Sequence, residues 1–270
     1  MTVSADERKR GSPAPRANLY KILFDGEKLP ADERFANYRP STKVRLLKGN
    51  SGHFDFDTEL YRDNHGKTLL NAATEHIGEH RRELPGSVVA ITHPFYYFSR
   101  AGKFYGDAEM IDSYTYLRRM KNLLGAMKGS RGSAAVLLET ADEYAFFSHA
   151  LLERGLVSDV ILTQRNTGYP FSDRDAARLD GKMLFVGGGY YGQRSEGHEL
   201  CFDTSLQYMV NHVREPEANI RVVPELVMKE PNGGGPLLMR DGEFYSKWFV
   251  GQPTVSLEQL YRELGLNGTG

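Results

Sequence analysis

The sequence has almost no cysteine and no long apolar run. Cys201 is the single cysteine among 270 residues, so no intramolecular disulfide can form and a secreted disulfide scaffold is excluded. No apolar stretch approaches the ~20 residues that a membrane-spanning helix needs. The polar start, residues 1–16, also lacks the apolar segment of a secretory signal. We therefore expect a cytoplasmic protein without a membrane partner.

Neither sign of charge is in excess. Lysine and arginine total 34, aspartate and glutamate total 35, and the formal net charge is −1. Proteins that bind nucleic acid over an extended surface normally carry a basic excess, so this balance argues against such a surface. With 40% hydrophobic and 26% charged residues, the composition is that of a globular protein.

Short apolar runs alternate with helical segments through the middle of the chain. Runs without polar alternation are typical of strands that are buried on both faces. In the segments between them, the apolar residues recur at helical spacing, which predicts helices. The link over residues 164–183 is either a short helix over 173–179 or an irregular loop. The pattern predicts an α/β fold, a three-layer, doubly wound, Rossmann-like core with a mostly parallel five-stranded sheet. The runs are residues 87–92, 134–139, 159–164, 183–186 and 220–223, and the helices are 107–128, 141–154 and 200–212.

Capping and turn motifs mark the boundaries around this core. Thr140-x-x-Glu143 predicts a capping box at the start of the second helix, and Ser256-x-x-Gln259 a cap on a last short helix. Asp241-Gly242 suits the turn of a C-terminal β-hairpin. The predicted organisation is a disordered tail (1–16), an irregular N-terminal extension that ends in a helix over 65–84 (17–84), an α/β core domain (85–230), and a C-terminal hairpin and short helix packed on the core (231–270).

Polar side chains, aromatic residues and glycines concentrate in the segments that follow the predicted strands. In open α/β sheets, ligands bind in the crevice outside the carboxyl ends of the strands. The sequence therefore predicts a polar ligand pocket at that edge. The residues expected there are His93 and Glu139 as catalytic groups, and Arg165, Asn166, Gly187, Gly188, Gly189, Tyr190 and Gln193 as substrate-binding groups.

Three of these side chains have a specific chemical use and a simpler alternative. His93 directly follows the first strand, where Pro94 is expected to hold it extended. Its imidazole can move a proton near neutral pH, or it can simply bond to nearby backbone. Glu139 can serve as acid, base or hydroxyl acceptor. Arg165 can clamp an anion with two parallel hydrogen bonds, or pair with Asp173 or Asp175.

The glycine-rich residues 187–192 match G-x-G-x-x-G and follow a strand. Backbone without side chains can approach a phosphate closely and direct amides at it. The motif lies at the fourth strand rather than in the first strand–helix–strand unit, and Gly197 interrupts any helix that starts at the loop. A generic anion or nucleotide cradle is therefore favoured over a dinucleotide site, and the cofactor stays unknown.

The segment His76-x-x-Glu79-His80 matches H-x-x-E-H, the inverted zinc-protease motif. On a helix this spacing places both imidazoles on one face, as metal binding requires. Both histidines also border the apolar face that contains Ile77, and the sequence shows no third ligand. We therefore expect them to pack against the core, without a metal.

Three interpretations of the function follow from the sequence. The first is an enzyme, a hydrolase or transferase, that acts on a small, polar, anionic metabolite or nucleotide by acid–base or hydrolytic chemistry. The second is a non-catalytic ligand-binding or assembly protein that uses the same pocket. The third is a zinc hydrolase that uses His76 and His80. Turnover and metal content distinguish the three, and homo-oligomerisation stays open.

Overall fold

The structure, a computed structural model, describes residues 39–40, 61–62, 68–94, 107–140, 143–163, 172–188, 190–191, 201–229, 238–240, 243–245 and 251–266. The strands in chain order are β1 (Arg39–Pro40), β2 (Tyr61–Arg62), β3 (Ser87–Thr92), β4 (Ser133–Thr140), β5 (Asp159–Thr163), β6 (Met183–Gly188), β7 (Tyr190–Tyr191), β8 (Ile220–Val222), β9 (Met228–Lys229), β10 (Leu238–Arg240), β11 (Glu243–Tyr245) and β12 (Gln252–Pro253). The helices are α1 (Leu69–Glu79), α2 (Asp107–Met127), α3 (Glu143–Glu153), α4 (Asp173–Leu179), α5 (Cys201–His212), α6 (Pro216–Asn219) and α7 (Leu257–Glu263), with a 3-10 turn at Pro224–Leu226.

A five-stranded sheet in the order β5-β4-β3-β6-β8 forms the centre of the molecule. All its neighbouring strands are parallel, which requires a crossover connection after each strand. From β3 the chain builds outwards to β5, then returns to the other side of β3 to place β6 and β8. The strand order therefore reverses between β3 and β6. In sheets of this kind such a reversal opens a crevice at the carboxyl ends of the two strands.

The two faces of this sheet contribute to two separate cores. Val89 and Ile91 of β3 pack in a core with residues of α1, α2, α3 and α7. Val88 and Ala90 of the same strand pack in the other core, with residues of α4 and α5. Both faces are covered, so successive residues along a strand are apolar and the predicted three-layer α/β fold is confirmed. None of the helices in the described part of the chain is long and apolar enough to cross a membrane.

Helix α1 is shorter than the predicted helix over 65–84. It begins after Thr68, whose hydroxyl accepts a hydrogen bond from the amide of Asn71 at 3.1 Å, and it ends at Glu79. The predicted end at Pro85-Gly86 is wrong. Ile77 is buried in one core, whereas Leu84 is buried in the core on the other face of the sheet. The chain must therefore cross from one face to the other, which a continuous straight helix over these residues would not allow.

The predicted cap on the last short helix is confirmed, since Ser256 accepts a hydrogen bond from the amide of Gln259 at 3.1 Å at the start of α7. The link before β6, for which a short helix and an irregular loop were both open, contains the short helix α4. The capping box at Thr140-x-x-Glu143 concerns side chains outside the described residues and stays a prediction. Thr140 is the last residue of β4, where it pairs with Thr163, and α3 begins at Glu143.

The C-terminal part packs against the central sheet through α7 and the residues before it. Thr254 forms a parallel bridge with Val222 of β8, and Leu260 of α7 is buried in the core that contains α2 and α3. Strands β10, β11 and β12 form a separate antiparallel sheet. The predicted turn at Asp241-Gly242, the tail over 1–16 and most of the N-terminal extension lie outside the described residues.

A buried ion pair fixes α4 against the amino end of β5. Asp159, the first residue of β5, has a side chain that is 1% exposed and pairs with Arg178 of α4. Asp175 of the same helix lies 3.7 Å from Arg178 and 3.5 Å from Arg81. Asp175, one of the acids proposed above as a partner for Arg165, thus already pairs with two other arginines.

Candidate active site at the carboxyl ends of the strands

His93 is the first residue after β3 and has an unusual backbone conformation. Its amide donates to the carbonyl of Leu138 in β4 at 2.7 Å, so it still extends the pairing of the sheet. Its φ is +40°, and among the described residues other than glycine only Glu215 shares a positive φ. This region costs an L-residue roughly 1–2 kcal/mol. The expectation that Pro94 holds His93 extended is wrong, because the chain turns at His93 to leave the sheet.

The turn buries the His93 ring above the carboxyl end of β4. The residue is 3% exposed, and its Nε2 forms a 2.9 Å hydrogen bond with Oγ1 of Thr163 at the end of β5. Its Nδ1 is buried without a hydrogen-bond partner among the residues that the structure describes, and so is Oγ1 of the adjacent Thr92. Buried polar atoms without a partner are rare in native proteins and usually have a specific cause. Here two of them belong to consecutive residues at the edge where α/β sheets bind ligands.

Burial also determines the charge of His93. Loss of water around the imidazolium lowers the pKa of His93 from its ordinary value of 6.5 to about 4. At neutral pH the ring is therefore uncharged, with one N–H and one lone pair. Because the Thr163 hydroxyl can donate or accept, the contact at Nε2 allows either tautomer.

This pKa predicts how stability depends on pH. The unfolded chain binds a proton at His93 below about pH 6.5, whereas the folded chain binds it only below about pH 4. Burial of the neutral ring therefore contributes fully to the free energy of unfolding above pH 6.5. This contribution, about 3 kcal/mol in total, is lost as the pH falls from 6.5 to 4. Urea unfolding between pH 7 and pH 4 should show a steeper loss in the wild type than in His93→Asn. Asparagine tolerates a positive φ but does not titrate.

The matched control for that comparison is His212→Asn, because His212 is an exposed histidine at the end of α5. That variant should lose stability with falling pH as steeply as the wild type does. Equal slopes for the wild type and His93→Asn would show that His93 is not held neutral by burial.

Glu139, the second predicted catalytic residue, is fully buried and faces the layer of α2 and α3. Its Oε2 accepts a hydrogen bond from the hydroxyl of Ser148 in α3 at 3.4 Å. Burial first, and the charge of Glu139 second, raise the pKa of Tyr116 in α2 above its usual range. Glu139 and His93 lie at the carboxyl ends of the neighbouring strands β4 and β3. Glu139 is hydrogen-bonded to Ser148, whereas His93 is hydrogen-bonded to Thr163.

The glycines at the end of β6 have a packing role. A Cβ on Gly187 would lie 2.6 Å from Cβ of Leu226, and one on Gly188 would lie 2.6 Å from the backbone nitrogen of Thr92. Gly188 also has a φ of +86°. Close packing of Gly187 against Leu226 of the 3-10 turn, and of Gly188 against Thr92 of β3, therefore accounts for both glycines without a ligand. Their position still places them at the same edge as His93.

Four of the other predicted binding residues, Arg165, Asn166, Gly189 and Gln193, lie outside the described residues. Tyr190 lies in β7, where it pairs with Met228 of β9. The strand-end site thus contains His93, Gly187 and Gly188 from the predicted set.

Sequence reasoning missed Thr92 and Thr163 in this site. A signal was present, since β3, β4 and β5 each end in a threonine, at Thr92, Thr140 and Thr163. Parallel strands end at one edge of a sheet, so three consecutive strands with a terminal hydroxyl bring hydroxyl groups to that edge.

A second polar group lies on α1 and α3, away from the strand ends. Nδ1 of His76 is 2.8 Å from Nε2 of His149, and Oε1 of Glu153 is 3.5 Å and 3.8 Å from these two nitrogens. The three side chains are arranged so that they could hold a metal ion. The H-x-x-E-H pattern indicated no third ligand for His76, although His149-x-x-x-Glu153 has the i, i+4 spacing of His76 and His80. Glu79 of the H-x-x-E-H motif is exposed.

Together the fold and the strand-end site define an α/β protein with a parallel five-stranded sheet and a buried histidine at its strand reversal. Comparison with models of protein families, with curated proteins and with solved structures found no match. Its function is therefore inferred from the chain's own residues.

Proposed function

We propose that the chain is an enzyme that acts on a small, polar, anionic metabolite or nucleotide, and that His93 transfers the proton in the reaction. The observation that carries the proposal is the state of His93, which combines a left-handed backbone, a buried neutral ring and an Nδ1 without a hydrogen-bond partner in the described part of the chain. The left-handed backbone and the Nδ1 without a partner are each unfavourable for folding. Their coincidence at the carboxyl ends of the strands, the edge where open α/β sheets bind ligands, favours a functional origin.

The contact with Thr163 suits the ring for proton transfer. When Nε2–H donates to Oγ1 of Thr163, the lone pair of His93 lies on Nδ1 and can accept a proton from a substrate hydroxyl or a water molecule. Thr163 then acts as a positioning residue, since it fixes the ring and the tautomer without touching the reacting atoms.

The low pKa of His93 supports an anionic substrate. A base with a pKa of about 4 is weak at neutral pH, and general catalysis works best when the pKa of the group lies near the working pH. A negative charge close to the ring stabilises the imidazolium and raises its pKa. An anionic substrate would thus activate His93 on binding, which supports a phosphorylated or carboxylated substrate over a neutral one.

The remaining residues of the proposed site have supporting roles. Arg165 and Asn166 would hold the anionic group, and the backbone of Gly189 with the side chains of Tyr190 and Gln193 would complete the cradle. The strand order, with β3 between β4 and β6, is that of Rossmann-type sheets. This analogy supports a nucleotide as one member of the substrate class.

A turnover screen tests the proposal. The full chain is incubated with defined mixtures of nucleotides, sugar phosphates and carboxylic acids, and consumption is followed by proton and phosphorus NMR. We expect at least one anionic compound to be converted. If compounds bind without conversion under all conditions, the chain is the non-catalytic ligand-binding protein and the proposal is wrong.

A further inference from the structure

Two pairs of metal-ligating side chains, each pair four residues apart, lie close together at α1 and α3. His76 is on α1 and His80 directly follows the last residue of that helix, and His149 and Glu153 are on α3. Residues at i and i+4 share a helix face. The rings of His76 and His149 meet edge to face, with their centroids 4.9 Å apart.

The distances between the ligand atoms are close to those around a bound ion. A tetrahedral zinc ion with bonds of roughly 2.0–2.2 Å keeps its ligand atoms about 3.4 Å apart. Here the separations are 2.8 Å between His76 Nδ1 and His149 Nε2, 3.5 Å between His76 Nδ1 and Glu153 Oε1, and 3.8 Å between His149 Nε2 and the same oxygen. Side-chain rotations that move these atoms by about 0.5 Å would give the geometry of a zinc site.

The ligand types select a class of metal. Two imidazoles and one carboxylate suit zinc and neighbouring divalent transition metals, whereas magnesium and calcium prefer oxygen ligands alone. The side chain of His149 is 2% exposed, while those of His76 and Glu153 are 28% and 24% exposed. An ion can therefore enter from solvent and be held at a buried nitrogen.

A further atom next to this cluster is also consistent with a metal. Nε2 of His80 is buried and has no hydrogen-bond partner in the described part of the chain, and the ring centroids of His80 and His76 are 5.8 Å apart. A hydrogen bond between His76 and His149 explains their short contact but leaves the buried nitrogen of His80 without a partner. A metal ion would account for that nitrogen, since three protein ligands leave a fourth position that His80 or water can occupy.

We propose that His76, His149 and Glu153 bind a divalent transition metal ion of the zinc type. The crossover helix α3 runs back from the carboxyl end of β4, so Glu153, its last residue, lies towards the amino ends of the strands. The site is therefore separate from His93 and independent of the proposed function. A bound ion links α1 to α3 and stabilises the layer that covers this face of the sheet.

Metal content measured on the full chain tests this proposal. The protein is stripped with a chelator, reloaded with zinc sulfate, desalted and analysed by mass spectrometry of the metal. We expect about one zinc ion per chain, no retention of magnesium, and a melting temperature raised by roughly 5–10 °C when free zinc is a hundredfold above Kd. His149→Gln and Glu153→Gln should each abolish retention. The matched control His212→Gln changes an exposed histidine of α5 and should retain the ion.

Two results would overturn the proposal. One is a wild type that retains no zinc after desalting, and the other is a folded His149→Gln protein that retains as much as the wild type. If the variants fail to fold, the absorption spectrum of cobalt loaded into the wild type decides between the two possibilities. A tetrahedral or five-coordinate absorption spectrum without a thiolate band supports the site, and the spectrum of hydrated cobalt alone contradicts it.

Discussion

Replacement of His93 by asparagine is expected to reduce turnover roughly 10²–10⁴-fold, the usual effect of losing a general acid–base group. Asparagine tolerates the positive φ at this position, but its shorter side chain loses the hydrogen bond that Nε2 of His93 forms with Thr163. It cannot take up or release a proton. The loss should therefore appear in kcat as well as in kcat/KM, measured with the compound that the wild type converts.

The same substitution at His212 is the control for this variant. His212 is exposed and stacks on Tyr208, far along the chain from the strand ends, so His212→Asn should keep wild-type turnover. Circular dichroism should show that both variants are folded. Wild-type kcat in a folded His93→Asn protein would show that His93 does not move the proton.

Replacement of Gly188 by alanine is expected to lower the free energy of unfolding by about 3 kcal/mol. The new methyl group would lie 2.6 Å from the backbone nitrogen of Thr92, and backbone cannot move away as a flexible side chain can. Overpacking of this kind costs roughly 1–3 kcal/mol, and the φ of +86° adds roughly 1–2 kcal/mol for an L-residue. Urea unfolding without any ligand measures the effect.

Gly86→Ala provides the matched comparison. A Cβ on Gly86 would meet no atom within 4 Å, and this glycine does not have a positive φ. We expect its free energy of unfolding to stay close to that of the wild type. Equal losses at Gly86 and Gly188 would contradict the packing role of Gly188. Unchanged stability of Gly188→Ala would mean that the glycine serves another purpose, such as a close approach to a ligand.

The sheet was predictable because its strands are buried on both faces. In a chain without long apolar segments, uninterrupted apolar runs as short as residues 183–186 are typical of such strands. The strand order was not predictable, since it depends on which helices cover which face. The end of α1 was missed for the same reason. Ile77 and Leu84 belong to opposite cores, and their apolar spacing cannot show this.

Position alone predicted His93, but its conformation and partners depend on distant residues. Its hydrogen bond joins two residues 70 positions apart, and the contact between His76 and His149 spans 73 positions. No local pattern connects such pairs. What the sequence did contain was the spacing within each helix and the threonine at the end of each of three strands. These features become informative once the topology shows which helices and strands are neighbours.

Titration of the His93 imidazole by NMR tests the central claim most directly. In the free protein we expect a pKa of about 4. In the presence of the anionic compound that the chain converts, the His93 resonances should shift and the pKa of His93 should rise towards neutrality. A His93 that titrates near 6.5 in the free protein, or whose resonances do not respond to the compound, would contradict the account.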